Sequence, residues 1–200
     1  LDCGAQPSDD QTLGDGMLVS PEEGHELTCR HEAGHAVAAF GVGATISHAV
    51  VPPVYPRRSH GALVRAETSG FQNEVTILVA GELATDPTIP LAMLIRIGAD
   101  MVKVRELAAA HFSWPADVRE GPHIRYLKRT SARVRRWFAL PEQQRAIAAI
   151  ALALDQASKL NLRVEGDEIC RICEECGVER RPAFLQLDAR TDRRVASPAG

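Results

Sequence analysis

The stretch Cys29-Arg30-His31-Glu32-Ala33-Gly34-His35-Ala36-Val37-Ala38-Ala39-Phe40 constrains this chain more than any other. Residues four apart project from adjacent turns of one helical face, so His31 and His35 lie side by side. The run that follows, Ala36 to Phe40, is apolar throughout and belongs in an interior. Imidazoles drawn in beside it need polar partners, because burying them unpaired is costly. The chain is therefore expected to fold around a helix that carries a polar pair into its core.

The rest of the composition suits that picture. Of 200 residues, 45% are apolar but only 4% aromatic, with Ala, Leu and Val prominent, a mixture that favours helix packing over a sandwich of sheets. The net charge of -3 is not that of a duplex nucleic-acid binder, whose surface is strongly basic. No uninterrupted apolar run approaches the roughly 20 residues that span a bilayer. An odd number of cysteines, five, favours a cytoplasmic or other reducing compartment.

Along the chain, residues 1–20 read as a flexible leader, 21–179 as the folded domain and 180–200 as a flexible tail. Helical patterns run from Pro21 to about Gly41, from about Gln72 to Pro87, from Leu91 to Phe112 with Gly98 at a possible bend, over His123–Phe138, from Pro141 to Leu160, and finally through VEGDEICRICEECG. Ile46–Pro53 and His60–Glu67 read as short strands.

His31 and His35 can each aim one nitrogen at a common metal, with Zn–N distances of about 2.0–2.1 Å. Glu32 lies close enough to reach a water held there, which is the physical logic of HExxH in zinc peptidases. Only three positions of that pattern are fixed, and unrelated helices carry it by chance. The apolar continuation favours the metal. A catalytic zinc takes a third protein ligand. A histidine six residues after His35 would complete an extended metzincin motif, but that position is Gly41. Glu82, Asp86 and Asp100 are the leading carboxylates, and His48 and His60 are further candidates that substrate contact or surface placement explains equally well.

The wider order of motifs resembles the peptidase domain of the FtsH-type, M41-family zinc metalloproteases. RHEAGHAVAAF, ISHAVVPP, HGALVR, VAGELATD and GADMVKVRELA follow in the family's sequence over roughly residues 21–112. The resemblance implies a mainly α-helical, zincin-like metalloprotease domain with a small β-sheet or hairpin near the N-terminal side. It implies Zn2+ held by His31, His35 and Asp100, with Glu32 activating a water, and a supporting role for Asp86. It further implies hydrolysis of extended or unfolded polypeptide bound along the strand near His60 and Gly61. The chain departs from the pattern at Thr85, where the family has glutamate, and in the segment leading to Asp100. It carries no GxxxxGK[ST] motif, so its own activity is expected to be ATP-independent, with a separate unfoldase or adaptor as a partner. The competing expectations are an inactive peptide-binding adaptor and a zinc amidohydrolase for a small peptide-like substrate. Oligomeric state does not carry over.

Two other features invite function. Arg125, Lys128, Arg129, Arg133, Arg135 and Arg136 form a positive stretch, read as the hydrated side of a helix packed through Tyr126, Leu127, Val134, Trp137 and Phe138. Cys170, Cys173 and Cys176 recur at i+3. They read as small thiols packed on a last helix, whose lead-in resembles LxGEEI of the same family, rather than as a zinc cluster completed by Cys3.

Overall fold

The computed structural model describes residues 20–53, 63–90, 99–115 and 120–180. Within them the helices are α1 (Pro21–Gly41), α2 (Phe71–Thr85), α3 (Ala99–Phe112), α4 (Pro122–Phe138), α5 (Pro141–Lys159) and α6 (Gly166–Glu175). The strands are β1 (Thr45–Val50), β2 (Leu63–Glu67) and β3 (Val164–Glu165). The chain is thus mainly helical with a small antiparallel sheet toward its N-terminal side, as its composition leads one to expect. His60, Gly61, Cys3 and most of both terminal segments lie outside the described residues.

Helix α1 begins at a capping box. Ser20 Oγ accepts from the Glu23 amide at 3.1 Å, and Glu23 Oε2 accepts from the Ser20 amide at 2.9 Å. Pro21 takes the first helical position, where its missing N–H costs nothing. From Glu32 to Gly41 every residue of the helix is buried. This half is the axis of the molecule, packed against α2, α5 and the sheet.

The sheet order is β2-β1-β3. β1 pairs antiparallel with β2 from Thr45↔Glu67 to Val50↔Leu63, and with β3 through His48↔Glu165 and Ala49↔Val164. β3 opens the segment read from sequence as a final helix. A two-residue strand is too short to leave an alternation pattern, so only its partner reveals it.

The later helices match their periodicity. On α4, Ile124, Tyr126, Leu127, Val134, Trp137 and Phe138 are buried, while Arg125, Lys128, Arg129 and Arg136 stay exposed. Arg135 reaches back to donate to the Ile89 carbonyl at 2.6 Å. On α6, Ile169 and Cys173 are buried, and Cys170 and Cys176 are half-buried free thiols. Burial, reinforced by the two neighbouring cysteines, pushes the Cys173 thiol up to about 12.

Candidate metal centre

The site is assembled by three helices and one strand. α1 supplies His31, Glu32 and His35, whose ligand-type atoms lie within 4.8 Å of one another and form a group that could hold a metal ion. α3 brings Asp100 in its first turn, where the helix dipole favours a carboxylate. Asp100 Oδ2 lies 3.0 Å from His31 Nε2 and 3.0 Å from His35 Nε2, and the two imidazole nitrogens are 2.9 Å apart. Of the three carboxylates proposed from sequence for the third position, Asp100 is the one that meets both histidines. Glu82 lines the same cavity. Asp86 is exposed, with Oδ1 accepting from the Thr88 amide and hydroxyl at 2.8 and 2.7 Å. His48 sits in β1 with Nδ1 3.0 Å from Ser47 Oγ.

The donor set can be tested by asking where its protons are. His35 Nδ1 lies 2.7 Å from the Ile77 carbonyl, an acceptor only, so Nδ1 carries the proton. In the neutral ring Nε2 is then a bare lone pair. It points at a carboxylate oxygen and at a second imidazole nitrogen, both close to 3.0 Å away. The His35 lone pair and the Asp100 oxygen repel at this distance unless a metal ion or a proton stands between them. A tetrahedral metal with bonds of about 2.0–2.1 Å separates its ligands by about 3.3–3.4 Å, so the trio fits one after opening by a few tenths of an ångström. The rings are nearly perpendicular, 87° apart with centroids at 4.5 Å, and both Nε2 atoms come to one point.

The electrostatics follow from the same contacts. Hydrogen bonds that His31 and then His35 donate when Nε2 carries a proton hold the Asp100 carboxyl well below the usual carboxylate range. Burial works to lower the His35 pKa, but the Asp100 hydrogen bond and the charges of Glu32 and Asp100 outweigh it, and the net shift is upward. Glu32 is shifted upward by burial, partly offset by the charges of His35 and His31 and by a hydrogen bond from the Val64 backbone. The residues enclose a cavity of about 390 Å3, walled on one side by Leu63 and Val64 of β2 and on another by Ile77 and Leu78 of α2.

Gly81 and Arg30 escaped the sequence reading. A Cβ on Gly81 would stand 2.5 Å from His35 Cε1 and Nε2 and 2.8 Å from His31 Cε1, and one on Gly34 would meet Ala84 Cβ at 2.5 Å. These two glycines let α1 and α2 approach until the imidazoles fit between them. The available signal was a glycine in the middle of the apolar helix VTILVAGELAT, where it costs about 1 kcal/mol relative to alanine and so needs a reason. Arg30 is the other. Its Nε donates to the Ala84 carbonyl at 2.5 Å and its Nη2 to Gln144 Oε1 at 3.3 Å, tying α1 to the end of α2 and the start of α5.

Fold and site together define a helical domain with a preformed histidine–carboxylate centre beside a sheet edge. No protein-family model matches the chain, and no curated protein matches it.

Proposed function

We propose that this protein is a zinc-dependent endopeptidase of the FtsH-like kind, hydrolysing peptide bonds in extended polypeptide. The observation that carries the reading is the convergence of His31 Nε2, His35 Nε2 and Asp100 Oδ2 to within 3.0 Å, with the buried Glu32 carboxylate beside them. Bound zinc supplies a Lewis acid that polarises a carbonyl and makes water acidic near neutral pH. His31 and His35 would hold the ion as neutral imidazoles, and Asp100 would offset part of its charge. The Ile77 carbonyl fixes the His35 tautomer, so the ligand nitrogen cannot turn away. Glu32 takes a proton from the attacking water and delivers it to the departing amine nitrogen. Burial suits Glu32 to this work, because a raised pKa brings a carboxylate closer to a base that returns its proton. The backbone of β2, at the edge of the described sheet and lining the cavity at Leu63 and Val64, gives an extended substrate a strand to pair with.

The test is cleavage of a panel of unfolded proteins and peptides by zinc-loaded protein. Turnover is expected to vanish with chelator, return with zinc, and fall about 10²–10⁴-fold in Glu32→Gln while zinc content is unchanged. Peptide binding without cleavage by the metal-loaded wild type would replace the enzyme with a peptide-binding adaptor.

A further inference from the structure

Helix α1 carries a second pair with the same i,i+4 spacing. His25-Glu26-Leu27-Thr28-Cys29 comes six residues before the start of His31-Glu32-Ala33-Gly34-His35. Six residues are about 240° of rotation and about 9 Å of rise, so the two pairs leave the helix on different faces. The later pair meets a carboxylate from α3. The earlier pair meets one from α5: His25 Nε2 lies 3.4 Å from Asp155 Oδ1 and 3.6 Å from Cys29 Sγ.

We propose that His25, Cys29 and Asp155 form a second divalent-cation site, with one nitrogen, one sulfur and one oxygen donor, suited to zinc. Tetrahedral zinc with Zn–S of about 2.3 Å and Zn–N of about 2.0–2.1 Å sets the nitrogen–sulfur edge at about 3.6 Å and the nitrogen–oxygen edge at about 3.3–3.4 Å. Both edges to His25 are already in place, while the sulfur–oxygen edge between Cys29 and Asp155 stands open, because the three donors do not all lie within 4.8 Å of one another. His25 and Cys29 are almost wholly withdrawn from solvent, at 10% side-chain and 1% residue exposure. The cluster forms the inner wall of a groove of about 700 Å3 between α1 and α5, which gives an ion a way in.

The free protein fills the position with protons. His25 Nε2 lies 3.0 Å from Ser158 Oγ, which itself donates to the Asp155 carbonyl at 2.8 Å, so the imidazole N–H donates to the hydroxyl. Lys159 Nζ holds Asp155 Oδ2 at 2.6 Å. Among the described residues only the His31 group has its donors already gathered within 4.8 Å. Loading the second set therefore requires the Asp155 carboxylate to swing away from Lys159 until its oxygen closes on Cys29 Sγ.

Cobalt(II) titration of the metal-free full chain tests this, whether or not the protein hydrolyses peptides. The His31 centre has no sulfur donor, so thiolate-to-cobalt charge-transfer absorption cannot come from it, and serine replacements separate Cys29 from the other thiols. The band is expected in the wild type, absent in Cys29→Ser, and intact when Cys170, Cys173 or Cys176 is replaced by serine. Asp155→Asn is expected to shift its titration about tenfold or more to higher cobalt, and Lys159→Gln to shift it lower. Should Cys29→Ser fail to fold by circular dichroism, His25→Asn is read in its place, with the same loss expected. A wild type without the band, or a band that survives Cys29→Ser or its replacement, overturns the site.

Discussion

At the scale of single residues, the proton on His35 Nδ1 sets the chemistry of the centre. Because Ile77 accepts it, the opposite nitrogen of the neutral ring faces Asp100 and His31 as a lone pair, open to a metal ion or a second proton. Gly81 leaves room for that ring, so Gly81→Ala should be costly. We expect a loss of about 1–3 kcal/mol in urea unfolding from overpacking and zinc affinity weakened about 10–100-fold as the ring is displaced. Unchanged affinity would show that α2 yields instead. Glu32 makes a separate prediction. Its folded pKa is raised above the ordinary glutamate value of about 4.3, so on acidification it gains a proton sooner than an exposed glutamate would. In the metal-free protein the Glu32 carboxyl should therefore titrate at higher pH than an exposed glutamate, as followed by NMR, and a midpoint at or below that of an exposed glutamate would contradict its burial.

At the scale of elements, α1 is the part on which everything else is hung. Arg30 ties it to the α2 terminus and to α5 through hydrogen bonds from a charged donor. Arg30→Ala should lower stability by about 1–3 kcal/mol, read from the urea midpoint. Much of this organisation was legible in the sequence. The i,i+4 histidines marked one face of α1, the apolar run after them marked its burial, and the alternation of arginines with Tyr126, Leu127, Val134 and Trp137 fixed the sides of α4. Asp100 was different. Three carboxylates on later helices were equivalent by spacing, only the family resemblance singled out Asp100, and which one reaches His31, 69 positions away in sequence, depends on how α3 packs on α2 and α4. Periodicity reports the face of an element but carries nothing about such crossings. The fit of Gly81 against two imidazoles was hidden for the same reason, although its cost within a helix was visible.

At the scale of the whole molecule, the centre joins the first described helix to the third across a long stretch of chain, so an ion held there braces the fold. With free zinc at 100 times Kd, the native state gains about 2.7 kcal/mol, which for a domain of this size corresponds to about 5–11 °C in Tm. Chelator should remove that increment, and Asp100→Ala should show little of it with or without zinc; a variant that keeps the full shift would dismiss Asp100 as a ligand. None of the described helices is long and apolar enough to cross a membrane.

The crowding of acceptors at His31, His35 and Asp100 also has a calorimetric consequence. Without metal, a hydrogen ion is the species able to relieve the repulsion at His35 Nε2, and the upward shift of that imidazole expresses the demand. Zinc uptake is then a swap of one positive species for another. Its observed heat should vary with the ionisation enthalpy of the buffer, and its apparent affinity should climb as the solution is made more alkaline and the competitor is withdrawn.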